Sequence, residues 1–154
     1  FGDDYADKNA TLMSPKHFQE FILPGLKRCV DAAHEAGAYV VKHTDGNIMP
    51  ILDMIVDSGI DGLNPLEPQA GMDIGLIKHK YGHRIALIGN IDCGYLLSQA
   101  PADEVRRVTR ETIRKAAPGG GYCLSSSNSI HSSVKPENFM AMIETLRECG
   151  AYPV

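Results

Sequence analysis

Five consecutive residues, His43-Thr44-Asp45-Gly46-Asn47, carry the pattern with the most chemical capacity in the chain. An imidazole and a carboxylate two positions apart offer one nitrogen and one oxygen ligand, a pair suited to zinc or to a harder divalent ion. A thiol substrate bound to such a zinc is deprotonated and becomes a nucleophile for a methyl group. Without a metal, a carboxylate beside an imidazole favours the protonated ring, and the pair becomes a proton donor. The bland alternative is a hydrogen-bonded histidine at a strand end, with Asp45 capping the next helix beside Asn47.

Other residues qualify as partners of that pair. Asp3 and Asp4 are adjacent acids after a glycine, able to complete a metal site or bind a substrate cation, or else a solvated turn. Glu67 follows a short strand and is held between two prolines, which suits a fixed, pocket-facing carboxylate; the other reading, an ordinary loop acid, is at least as well supported by the sequence. Asn90 and Asp92 sit in a turn, where such residues bond backbone N–H groups and support a site from behind; Asn90 is retained among the substrate-binding candidates. Asn128 offers a donor and an acceptor to a substrate but cannot replace a thiolate for zinc. His131 is expected to face a helix, and the Met-rich stretch 48–56 reads as core packing.

The elements around these residues determine whether they meet. Ala38-Tyr39-Val40-Val41-Lys42 is short, mostly apolar and β-branched, a buried strand by pattern. A helix is expected over 48–56, with Asn47 as N-cap and Pro50 in the first turn, where a missing N–H costs nothing. Upstream, Phe1-Gly2-Asp3-Asp4-Tyr5 reads as the end of a strand. Ser14-Pro15 then starts a helix in which Pro24 is expected to cause a kink or a break near Leu23. Downstream, 60–64 is a short strand, 72–81 a helix with Asp73 in its first turn, and 84–89 a buried strand. A short helical turn over 95–99 precedes a helix over 102–117, whose buried stripe is Val105, Val108, Thr112 and Ile113. Tyr122-Cys123-Leu124 is the last strand. The last helix starts near Pro136 and buries Phe139, Met142, Ile143 and Leu146.

Strict strand–helix alternation with apolar strands implies parallel pairing and right-handed crossovers. Four or five units make about half of an eightfold barrel, so the fold expected is a partial TIM-type (β/α) barrel of the α/β class. No Gly-x-Gly-x-x-Gly or Walker-type loop argues for an open doubly wound sheet instead. In such a barrel His43 and Asp45 emerge at the strand ends, where ligands bind.

The 154 residues suit one domain, and 44% apolar residues are enough for a core. A net charge of -4 gives no case for nucleic acid, and no apolar run approaches the ~20 residues of a membrane span. Cys29, Cys93, Cys123 and Cys149 form no Cys-x-x-Cys motif, and three of the four are expected to be reduced packing thiols in a cytoplasmic protein. A start at Phe1, without an initiator Met, looks like a piece of a longer chain or a mature product. A half barrel exposes strand edges, so pairing with a second copy as a homo-oligomer is expected, and a non-enzymatic reading is open beside the catalytic ones: an incomplete, non-catalytic piece that folds only as such an assembly.

Gly89-Asn90-Ile91-Asp92 after an apolar strand resembles the Gly-Asn-hydrophobic-Asp signature of the uroporphyrinogen decarboxylase superfamily. Ser14-Pro15 with Phe21-Ile22-Leu23-Pro24 is similar to its Ser-Pro and Phe-x-x-Pro helix. Gly120-Gly121-Tyr122, the Ser-rich loop and Pro136-Glu137-Asn138 resemble its last strand and helix. The resemblance implies the C-terminal half of a distorted barrel and one of two chemistries. Decarboxylases use no cofactor, act on a tetrapyrrole, and carry a histidine at the position of Asn128. Corrinoid-dependent methyltransferases hold zinc with His-x-Cys, matched here by His43-x-Asp45, and with a cysteine at the position of Asn128; their methyl donor is a corrinoid on a partner protein. His43 leans the resemblance toward the methyltransferases.

Overall fold

A computed structural model describes residues 1–152. Ser14 caps the first helical turn, α1 (Pro15–His17), by accepting a hydrogen bond from the His17 N–H at 3.2 Å. The chain then widens into a π-helical turn, Phe18–Ile22, before α2 (Leu23–Glu35). The helix does not break at Leu23: the π turn leads directly into α2, with Leu23 N–H bonded to the Phe18 carbonyl and Pro24 at the start of α2, where its missing N–H does no harm. Next come β1 (Val41–His43), α3 (Leu52–Val56), β2 (Gly62–Asn64), α4 (Ile74–Tyr81), β3 (Ala86–Ile91), α5 (Ala102–Ala116), β4 (Tyr122–Ser126) and α6 (Pro136–Cys149).

The four strands form one parallel sheet in the order β1-β2-β3-β4. Gly2 adds a parallel bridge to His43, so the segment leading into Asp3 and Asp4 lies beside β1 as a strand end. Side chains alternate across the sheet. Leu63 and Leu87 are fully buried against the helices. On the other face Val41 and Cys123 are exposed, and His43, Asn64, Ala86 and Ile88 are half-buried. Helices therefore cover one face only, as in part of a TIM-type barrel. Phe18, Ile51, Leu52, Ile55, Leu63, Ile77 and Leu87 centre one core cluster; Ile91, Leu97, Val105, Ala141 and Met142 centre a second, smaller one. No helix among the described residues is long and apolar enough to cross a membrane.

Several expectations shift. The helix expected over 48–56 is a 3-10 turn, Met49–Ile51, followed by α3, because Ile51 departs from helical geometry at φ -121°. Asn47 still accepts from the Met49 N–H at 3.2 Å. Asp73 caps α4 from outside, accepting from Leu76 N–H at 2.9 Å, so this helix begins two residues late. β3 starts later and runs through Asn90, and β4 runs on to Ser126. Residues 95–99 are turns rather than a helix. In α5 Thr109 joins the buried stripe, while Val108 is half-buried. The buried face of α6 is Asn138, Ala141, Met142 and Thr145, with Phe139, Ile143 and Leu146 left half-buried. The Asn138 amide donates to the carbonyls of Leu96, Leu97 and Ala100, which turns the helix toward that loop. Of the cysteines only Cys93 is buried; Cys29 and Cys123 are exposed, contrary to the expected packing role, because one lines an open groove between α2 and the N-terminal segment and the other lies on the open sheet face.

At the opposite end of the strands, Asp61 joins β1 to α2. Its Oδ2 accepts from Val40 N–H at 2.7 Å and lies 2.8 Å from His34 Nε2. The Val40 bond, followed by the His34 bond, lowers the pKa of Asp61 below the ordinary carboxylate value. A depressed folded-state pKa contributes stability above the unfolded value of about 3.9, and that stability is lost as pH falls through the folded value. Asp61→Ala is therefore expected to lower the urea midpoint at pH 7, with the gap to wild type narrowing as the pH is taken from 5 to below about 3. A gap independent of pH would contradict this role.

Candidate functional site

The end of β1 delivers His43 to the open face of the sheet. Its Nδ1 lies 2.6 Å from Asn64 Oδ1, on the neighbouring end of β2. The Asn64 amide nitrogen is turned to the Ile88 carbonyl at 3.4 Å, so its oxygen faces the ring and accepts the Nδ1 proton. That leaves the Nε2 lone pair pointing away from the sheet, the arrangement typical of a ligating histidine whose other nitrogen is held by a second group.

Asp45 meets it there. Its Oδ1 is 3.5 Å from His43 Nε2, is buried, and has no hydrogen-bond partner among the described residues. Its Oδ2 accepts from Asn128 Nδ2 at 2.8 Å, and its backbone N–H donates to Asp4 Oδ1 at 2.9 Å. Ligand atoms of Asp4, His43 and Asp45 all lie within 4.8 Å of one another. Two acceptors face each other across a gap with no donor between them. A cation fills such a gap, and so does a proton on Nε2.

The turn after Asp45 is fixed from three sides. Gly46 adopts φ +84°, its N–H donates to Glu67 Oε2 at 2.8 Å, and Asn47 N–H donates to the Asp7 carbonyl at 2.8 Å. Glu67 is thus held in place, but as a support of this turn; it lies outside the three-residue cluster. Asp3 presents its backbone carbonyl rather than its carboxylate, accepting from Lys42 Nζ at 2.7 Å. Burial lowers the pKa of that lysine, while the charges of Asp3 and Asp4 act to raise it.

Asn90 is buried at φ +86°, and its amide donates to the carbonyls of Leu66 and Met72. The nitrogen proposed for substrate contact is occupied in holding the loop after β2. Asp92 takes the N–H groups of Gly94, Tyr95 and Leu96, each at 2.9 Å, as a turn aspartate should. His131 is exposed and accepts from Ser133 N–H at 3.3 Å. Asn128 reaches Asp45 across the whole sheet, since β1 and β4 are its outermost strands. Flat, three strand spacings of ~4.8 Å would separate them by about 14 Å, so the contact reflects a curled sheet. Two contributors escaped the sequence reading. Asn64 and Lys42 act through contacts with the neighbouring strand end, and only the parallel register shows what they touch.

Comparison with known proteins fits this arrangement. The family model described as uroporphyrinogen decarboxylase matches residues 4–149. The chain belongs to the uroporphyrinogen decarboxylase family. Among curated relatives of that name, one from Thioalkalivibrio sulfidiphilus is 26% identical over 152 residues, covering 90% of this chain and 39% of its own length. The chloroplastic enzyme of Nicotiana tabacum is 30% identical over 147 residues, covering 90% of this chain and 34% of that one. A solved methyltransferase from Methanosarcina mazei superposes with a TM-score of 0.76 at 27% identity, covering 91% of this chain and 39% of that one. The chain thus spans well under half the length of these relatives. Family membership accounts for the partial parallel barrel, and both chemistries lie within reach of the comparison.

Proposed function

We propose that this chain carries the metal-holding side of a superfamily enzyme that transfers a methyl group from a corrinoid, presented by a partner protein, to a thiol substrate. The observation that carries this reading is the convergence of Asp4, His43 and Asp45 around the buried, partnerless Oδ1 of Asp45. A buried carboxylate oxygen left without a donor is costly, and a divalent cation satisfies it. One nitrogen and two carboxylates form a donor set that accepts zinc but is harder than a thiolate site. When bound, the cation would act as a Lewis acid that favours the thiolate form of a substrate thiol. His43 would bind through Nε2 with its ring oriented by Asn64, and Asn128 would hold the second oxygen of Asp45. The methyltransferase neighbour supports this branch of the family.

The test is calorimetric titration of the purified chain with Zn2+ and Mn2+. One equivalent is expected to bind wild type, and Asp45→Asn is expected to weaken binding by more than about tenfold. Absence of saturable binding would sink the proposal. The names of the curated relatives support a second reading, decarboxylation of a tetrapyrrole without a cofactor, in which a proton rather than a cation joins His43 to Asp45. Metal-independent turnover of a porphyrinogen by an enzyme containing this chain would favour it.

A further inference from the structure

Lys42 is fully buried, the one charged side chain among the buried described residues. Its row in the sheet is the helix-facing one, where β2 and β3 place Leu63 and Leu87. Packing alone would put an aliphatic side chain there, and burying an ammonium is costly. The ammonium is nonetheless well satisfied. Nζ donates to the carbonyls of Asp3 and His43, both at 2.7 Å, and stands 4.1 Å from the centre of the Tyr5 ring. These contacts use its donors and its charge together.

The two carbonyls belong to different chain segments. That of Asp3 is in the peptide leading into Asp4; that of His43 is in the peptide leading into Thr44 and Asp45. Direct backbone pairing of the segments is weak at this point, since Asp3 N–H reaches the His43 carbonyl only at 3.5 Å. Beyond it, the Asp4 carboxylate accepts from Asp45 N–H, and Tyr5 N–H donates to Thr44 Oγ1 at 3.0 Å. Lys42 therefore bridges the segments at the last point before both contribute ligand atoms.

We propose that Lys42 is a positioning residue of this site: its buried ammonium clamps the Asp3 and His43 carbonyls together and so sets Asp4 against His43 and Asp45. This inference rests on the cation-site reading, and its test separates the two. Zn2+ is titrated into wild type, Lys42→Met, Asp4→Asn and the double variant. Each single change is expected to weaken Zn2+ binding about tenfold, and the double variant to bind no more weakly than the worse single one, because both changes remove the same ligand. Wild-type affinity in Lys42→Met, or losses that multiply, would overturn the clamp. Amide hydrogen exchange of Asp45, whose N–H bonds Asp4, gives a metal-free readout and is expected to accelerate in Lys42→Met, and less in Asp4→Asn, which keeps an oxygen acceptor for that N–H. If wild type takes no Zn2+, the cation reading fails, and exchange alone decides on Lys42: unchanged exchange in Lys42→Met rejects it. Should Lys42→Met not fold, Lys42→Gln, which keeps an amide NH2 but loses the charge, is expected to fall between wild type and Asp4→Asn. In the unsubstituted protein the Lys42 ammonium 15N signal is expected to shift as Zn2+ saturates the site; a signal that stays in place overturns the proposal.

Discussion

Gly89→Ala is expected to abolish the cooperative thermal transition or lower Tm by 10 °C or more. Gly89 adopts φ +129°, a backbone conformation that L side chains rarely take. Space is the larger obstacle. A Cβ at this position would fall on the carbonyl oxygen of Pro65, with the carbonyl carbon at 2.8 Å. Neither partner is a flexible side chain that can swing aside. Separating them pulls β3 away from the loop after β2, which the Asn90 amide ties to β3 through Leu66. Left-handed strain costs about 1–2 kcal/mol, and the backbone displacement brings the total to roughly 4 kcal/mol or more. At about 2–4 °C per kcal/mol for a domain of this size, calorimetry will resolve the effect easily. A Tm within 3 °C of wild type would show that the close approach of β3 to Pro65 is not required.

At the proposed cation site, Gly46→Ala is expected to weaken Zn2+ binding by well over about tenfold although it alters none of the proposed ligands. Gly46 has φ +84°, and an added Cβ would stand 2.5 Å from the Asp7 carbonyl oxygen and 2.6 Å from the Ala6 carbonyl carbon. Relief requires residues 6 and 7 to move outward, or the turn holding Asp45 to move inward. Residues 6 and 7 directly follow the segment that presents Asp4, so either movement separates Asp4 from Asp45. The Gly46 N–H bond to Glu67 is lost as well. A cost near 3 kcal/mol is expected, with Zn2+ affinity lowered by well over about tenfold. Gly37→Ala serves as the control. Gly37 also has positive φ, +76°, but nothing lies within 4 Å of the added methyl, so only strain of about 1 kcal/mol remains. Equal behaviour of the two variants would mean that crowding around Gly46 has no part in the site.

Local rules made much of this fold readable before its shape was known. Ser14 followed by Pro15, and the turn built on Asp92, each depend on residues a few positions apart, and their backbone chemistry is decided locally. Strand–helix alternation gave the parallel order for the same reason. The His43 and Asp45 pair was visible because two positions along the chain bring it to one strand end. Asn64 and Lys42 were not visible in that way. One reads as a polar residue before a proline and the other as the end of a strand; their partners lie on adjacent segments whose register no local rule fixes. Asn90 supports the loop from behind, as residues of its turn type do, and Glu67 accepts from the Gly46 N–H, because free N–H and C=O groups of tight turns engage both side chains. The face of α6 was misjudged through Asn138, a polar residue that three carbonyls draw inward.

The bond from Asn128 to Asp45 joins residues 83 positions apart. Closing so long a loop is among the least local events in folding and carries an entropic cost that short-range contacts do not. The second oxygen of Asp45 therefore gains its Asn128 partner only after β4 has docked, whatever the order in which the other strands assemble. That bond acts as a late latch, closing the two outer strands of the sheet on one another once the rest of the chain is in place.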